Sequence, residues 1–307
     1  MQPETSGVTA GLARADLQRR WSLAMPALVV IGAFSILPLM MVVVYSVLAS
    51  GSYGGVQWHL SWEGWFSVFF ERDIFDDSIS VASAHVEVLL RSVLLALATM
   101  GLTLVFGLPT AWFIATRAPQ TRGFWLFLIT IPFWTNLLVR TIAIQDIIRA
   151  DGVVNRLLIW AGMIEAPLPM MFTNGAVLLG MTYVYLPLMV LPVYAAIEKF
   201  DFRLAEAAYD LYASRLFCLR RVILPMVRPG IAAGAILVFI PALGAYVTPR
   251  LMGGGTAMMW GNLIDLQFGQ GRNWPLGAAL SVALTVLILV ALVWYLRQAS
   301  QKAASHG

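Results

Sequence analysis

Six apolar stretches, at 22–48, 92–116, 124–145, 173–197, 231–249 and 275–296, alternate with polar connections along the chain. Each is long enough to cross a bilayer core as a helix, which takes about 20 residues. No Asp, Glu, Lys or Arg occurs in five of them, nor in 124–139 of the third. The pattern predicts an all-α integral membrane protein with six transmembrane helices. Residues 1–21 form a polar tail, 22–296 the membrane domain and 297–307 a second tail. The first stretch is too long for a signal-peptide core and lacks a small-x-small exit, so it reads as a retained helix.

The polar connections set orientation. With both ends inside, the inner segments hold 13 of the 20 Lys and Arg residues, and the outer segments hold 10 of the 16 acids. Cytoplasmic loops carry such a basic excess, so both termini are expected in the cytoplasm. The outer segment 50–91 is rich in Trp and Phe (Trp58, Trp62, Trp65, Phe66, Phe69, Phe70) and contains the acids Glu71, Asp73, Asp76 and Asp77. Aromatic residues at that density suit the lipid headgroup layer. The outer segment 140–172 predicts a short amphipathic helix over 153–163, entered by the turn Asp151-Gly152, and Gly253-Gly254-Gly255 marks an irregular outer loop. Within the spans, Pro109, Pro187, Pro192 and Pro241 mark interruptions that bundles tolerate. Gly230 and Gly234 make a small-xxx-small pair suited to close helix packing.

The inner connection 198–229 is unlike the others, with 6 Lys or Arg and 4 Asp or Glu where a short turn would have sufficed. Leu204, Ala207, Ala208 and Leu211 share one helical face, while Arg203, Glu206 and Asp210 project elsewhere. Arg203 and Glu206 stand at the i,i+3 spacing for pairing. Ser214 is placed to cap a second helix over 215–224 that Pro225 would end. Two short helices of this kind form a docking knob for a soluble protein. Arg215, Arg220, Arg221 and Arg228 equally suit a loop lying on anionic lipid.

Composition narrows the chemistry. The chain is 60% hydrophobic and 12% charged, about half the charge fraction of soluble domains, and topology accounts for its basicity without a nucleic-acid partner. The single Cys218 excludes an internal disulfide, and a buried or inert thiol is its default reading. No G-x-x-x-x-G-K-[ST], H-E-x-x-H or G-x-S-x-G occurs, and His59, His85 and His306 are scattered, so no catalytic, cofactor or metal constellation is expected. The lack of ionisable groups at the span centres argues against a proton relay. Tyr246, Thr248 and Trp274 place aromatic and hydroxyl groups toward the outer side, where they are candidates for touching a solute, with helix packing as their alternative role.

Glu206-Ala207-Ala208, followed by Val222, Leu224 and Pro225, resembles the E-A-A-x3-G-x9-I-x-L-P loop of ABC importer permeases. Pro241-Ala242-Leu243-Gly244, Val247-Thr248-Pro249, Gly253-Gly254, Trp274-Pro275-Leu276, Arg140-Thr141, Gly152, Asn155 and Phe172-Thr173 resemble the spermidine/putrescine permeases of that family. The resemblance implies a type I ABC importer permease fold in a bacterial inner membrane. It also implies a second permease subunit, a pair of ABC ATPase subunits that bind ATP and Mg, and a periplasmic solute-binding protein. It assigns Glu206, Ala207, Ala208, Asp210, Tyr212, Ser214, Leu224 and Pro225 to ATPase coupling. Three positions depart from the pattern. Tyr212 stands where glycine is expected at the bend, Ala245 where an acid is expected, and Arg250 where a polar or acidic residue is frequent. The resemblance implies a polyamine such as spermidine or putrescine as the solute, and the last two departures weigh against a polycation. An amino-acid derivative or other small organic solute is the alternative, as is a self-sufficient ion-coupled transporter.

Overall fold

The computed structural model describes residues 5–72 and 78–304. Asp73, Asp76, Asp77 and His306 fall outside them. Helix α1 (Thr5–Tyr45) carries helix back through most of the amino-terminal tail. An antiparallel ribbon follows, β1 (Leu48–Ser50) with β2 (Val56–Leu60). Then come α2 (Glu63–Phe69) and a second ribbon, β3 (Phe70–Arg72) with β4 (Ile79–Val81). The long helix α3 (Ser83–Ala115) leads to α4 (Pro119–Thr130), a 3-10 turn at Ile131–Trp134, α5 (Leu137–Ile148) and the short α6 (Val153–Trp160). Helix α7 (Asn174–Glu198) precedes the loop helices α8 (Arg203–Asp210) and α9 (Arg215–Cys218). A π turn at Leu219–Ile223 joins α9 to α10 (Leu224–Leu243), and a second π turn at Pro249–Gly253, α11 (Trp260–Phe268) and α12 (Trp274–Ala304) complete the chain.

Five helices among the described residues are long and apolar enough to cross a membrane, and a bent pair makes a sixth if its two arms count as one span. That pair corrects the third predicted span. Instead of one rod over 124–145, the chain turns by 98° between Pro119–Trp134 and Leu137–Trp160. Pro132 tightens the end of the first arm into a 3-10 turn. Thr135 is extended, and the Asn136 side chain accepts the Leu138 amide at 2.8 Å, capping the start of a new helix. A proline followed four residues later by an N-cap residue is a stop-and-restart signal that the apolar run conceals.

Helices α3, α7 and α10 pack as a triangle around Ala111, Met189, Val190, Val193, Val227 and Val238, all buried. Bilayer lipid is as apolar as these side chains, so close backbone approach rather than water exclusion holds such helices together. Glycines supply it. A methyl added to Gly234 would come within 2.8 Å of Met189 Sδ, and one on Gly230 would run into Ala196 and the Pro192 carbonyl. Pro109, Pro187, Pro192 and Pro241 all lie inside continuous helices.

At the other end, polar side chains fasten the irregular segments. Asn155 donates to the carbonyls of Arg149 and Leu168 at 3.0 and 3.1 Å and accepts the Leu168 amide at 2.9 Å, which satisfies a buried amide completely. Asn262 accepts from the Met259 amide and donates to the Tyr246 carbonyl, tying α11 to the segment that follows α10. Trp260 bonds Ser92 through its amide and the Leu280 carbonyl through its indole.

Candidate functional site

The 198–229 connection is a knob whose root is buried in the bundle. Phe200, Ala205, Cys218 and Ile223 join the same core cluster as α3 and α7. Phe202 meets Phe200 edge-on at 5.4 Å and Trp112 of α3 at 5.9 Å. Tyr194 donates to Glu198 at 2.6 Å, and Arg122 at the start of α4 stands 3.7 Å from the same carboxylate. The knob is therefore joined to α3, α4, α7 and α10.

Within the knob, Asp201 accepts the Arg203 amide at 3.0 Å and opens α8. The inward residues are Ala205, buried, and Ala208, packed against the core. Leu204, Ala207 and Leu211 of the predicted apolar face lie on the outside, and Leu211 is 82% exposed. Tyr209, Leu216 and Phe217 extend this apolar surface. Glu206 and Asp210 flank it, exposed and without a hydrogen bond or ion pair among the described residues. The Arg203–Glu206 pair does not form. Both side chains point to solvent, where such a pair contributes little.

The bend between α8 and α9 stays at Tyr212, which adopts φ 57°. The amide of Tyr212 reaches the Tyr209 carbonyl at 2.9 Å and that of Ala213 reaches Ala208 at 3.0 Å. This is the two-bond Schellman ending, with a tyrosine in the left-handed position that glycine normally takes. A non-glycine residue pays roughly 1–2 kcal/mol there, and the result is an aromatic ring 99% exposed at the tip of the knob.

Ser214 caps α9 by accepting the Phe217 amide at 3.3 Å, as its spacing predicts. Pro225 corrects the sequence reading, because it does not end the second helix. The wide π turn, closed by the Leu224 amide on the Leu219 carbonyl, carries the chain from α9 into α10 without a break. A π turn displaces the carbonyl that a proline ring would strike in an α-helix, so Leu224 and Pro225 form the stem of a span rather than the edge of a turn. Cys218 is fully buried.

The residues assigned to a solute pathway do not share one surface. Tyr246 is exposed beside Asn262. Thr248 is buried, 3.4 Å from the Thr141 hydroxyl. Trp274 stacks between Tyr45 and Phe268 at 6.2 and 6.4 Å. Ala245 lies in the core. Arg250 is ion-paired to Asp265 of α11 at 2.6 Å, and both line a cavity of about 270 Å³ with Asn262 and Gln270. Composition and spacing had no means of linking two charges 15 residues apart across a glycine-rich loop.

Comparison with known proteins gives these features a frame. Residues 78–304 match the family model of the binding-protein-dependent transport system inner membrane component. The spermidine/putrescine permease PotB of Escherichia coli K12 is 44% identical over 213 residues, which is 69% of this chain and 78% of PotB. The inner membrane ABC transporter permease YdcU of the same organism is 30% identical, covering 70% of this chain and 72% of its own. Among solved structures, a bacterial ABC transporter for alginate import superposes with a TM-score of 0.65 at 16% identity, over 94% of this chain and 98% of the other. The methionine transporter MetNI gives 0.51 at 17% identity, over 69% and 93%. The apolar spans, the rooted knob of the 198–229 loop and the family match over 78–304 agree, and the chain belongs to the inner-membrane permease components of binding-protein-dependent ABC importers.

Proposed function

We propose that this chain is one of two permease subunits of an ATP-driven importer that carries a small polyamine such as spermidine or putrescine. A periplasmic binding protein delivers the solute, and a pair of ATPase subunits binds and hydrolyses ATP with Mg. Both termini and the 198–229 knob lie on the cytoplasmic side of a bacterial inner membrane. The observation that carries the coupling role is the exposed apolar surface on a buried root: Leu211, Tyr212, Leu216 and Phe217 point outward while Phe200, Phe202 and Cys218 anchor them. An apolar patch on a charged loop marks a protein contact, and Glu206 adds one charge to it. Closure of the ATPase dimer moves the knob, and the attached helices exchange inward-open for outward-open arrangements.

The polyamine reading rests on the likeness to PotB and on the charge at Arg250. Asp265 neutralises that guanidinium at 2.6 Å, so the position presents a paired charge instead of a bare cation to an incoming polyamine. Ala245, a core residue, removes a carboxylate without adding a charge. The experiment is uptake of labelled putrescine and spermidine by cells lacking this chain and by cells complemented with it, with the tagged chain purified in parallel. Uptake that needs ATP, together with co-purifying ATPase and second permease, is the expected result. A chain that purifies alone and drives flux abolished by an ionophore would instead be an ion-coupled transporter. ATP-dependent uptake of an amino-acid derivative, with neither polyamine carried, would keep the importer and discard the substrate.

A further inference from the structure

Two connections meet on one side of the bundle, 117–122 between α3 and α4 and the knob between α7 and α10, and a single carboxylate joins them. Glu198 is the last residue of α7, two positions before Phe200 at the root of the knob. Its Oε1 accepts the Tyr194 phenol at 2.6 Å and stands 3.7 Å from Arg122 Nη1. Arg122 is held from behind, because its Nε donates to the Arg117 carbonyl at 2.8 Å. Among the described residues this is the only ion pair between α4 and either α7 or the knob.

Helix α4 needs such a link more than its neighbours do. It is the first arm of the span that turns by 98°, and none of its residues is buried. Its apolar hold is Trp125, Leu126 and Ile129, partly buried against the core, with Trp125 edge-on to Phe113 at 5.1 Å. Against lipid, which is as apolar as these side chains, such contacts fix a helix only through close packing. The polar cluster therefore sets where α4 begins relative to the knob. Tyr194 is buried and fixes the Glu198 carboxylate, so the pair with Arg122 forms with less loss of side-chain freedom than a free surface pair. The two charged side chains are 27% and 46% exposed. A pair that open adds little to the stability of the fold, and its consequence is register between two helices.

We propose that Arg122, Glu198 and Tyr194 are positioning residues of the transport cycle. They clamp the start of α4 to the root of the knob, so that the first arm of the broken span follows the knob when the ATPase dimer closes. The proposal rests on the ATP-driven importer reading above. Its test uses the full complex with spin labels on Gly123→Cys and Lys199→Cys, two exposed positions beside the cluster. An added side chain at 123 meets nothing, and the native Cys218 is fully buried and out of reach of the label. The partners' accessible cysteines are removed, and the separation is read by electron paramagnetic resonance without nucleotide and after trapping with ATP and vanadate. Vanadate-sensitive ATP hydrolysis shows that each variant has assembled. One separation, the same in both states, is expected for the otherwise native chain. With Arg122→Ala or Glu198→Gln, a second and longer separation is expected in the trapped state, its population raised about fivefold, the scale of a partly exposed pair. Arg122→Lys keeps the charge and is expected to retain the single separation, while Tyr194→Phe frees the carboxylate and gives a smaller release. A native separation that changes on trapping overturns the inference. So does one separation shared by every variant, even where complex recovery falls, because the cluster is then a structural contact alone. A native preparation without an ATPase overturns the importer reading itself, and this inference with it.

Discussion

Tyr212 concentrates a conflict between stability and contact at one residue. Its left-handed backbone is strained and its ring is free of the chain. Tyr212→Gly is expected to raise the thermal midpoint of the detergent-purified complex by the equivalent of about 1 kcal/mol, and to lower ATP turnover coupled to transport. A rise in both would show that the ring contacts nothing in the ATPase. Glu206→Ala is expected to reduce transport-coupled ATPase activity while the chain remains at normal level in the membrane; unchanged turnover and uptake would remove Glu206 from the coupling contact. For Cys218, burial predicts no labelling by a water-soluble maleimide in the native complex and full labelling after denaturation. The composition of the loop was legible in the sequence, and so was its Ser214 cap, because a hydroxyl before a short apolar run has a local role. The outward facing of Leu204 and Leu211 was not, because one helix turn carries no information about which side meets the core.

Among elements, the arrangement of α3, α7 and α10 depends on glycine. Gly234→Leu is expected to destabilise the bundle by roughly 1–3 kcal/mol through overpacking against Met189, seen as a lower temperature of heat-induced aggregation in detergent. The same loss at an exposed position such as Gly123, where nothing lies near, would argue against a packing cause. The Arg250–Asp265 pair links the second π turn to α11 across a solvent-open cavity. Asp265→Asn leaves the guanidinium bare, and a polyamine importer is then expected to show KM for spermidine raised about fivefold, near 1 kcal/mol for an exposed charge. Adding Arg250→Gln should return most of it; a KM indifferent to both changes would place the pair off the pathway. The six apolar runs announced the spans well, and α7 begins and ends within one residue of its predicted bounds. The third span failed because hydropathy counts apolar residues and is blind to the direction in which the backbone proceeds after Pro132.

For the molecule as a whole, the connections form a continuous path between its two ends. The knob is joined to α3 through Trp112 and Phe202 and to α10 through the π turn. The segment that follows α10 is joined to α11 by Asn262, and α11 to α3 and α12 by Trp260. Helices packed this closely move as bodies, so a displacement at the knob has a continuous path to the segments around Arg250 and Tyr246.

By itself the amino-acid sequence determined that the chain is built of apolar helices long enough to cross a bilayer and where a charged knob interrupts them. These properties follow from transfer free energies and from local signals such as caps, prolines and Lys/Arg counts, which are additive along the chain. Only the tertiary structure decided that Pro225 continues a helix, that Tyr212 holds the bend and that Asp265 neutralises Arg250. Each of these depends on which groups meet across distances in sequence that no local pattern spans.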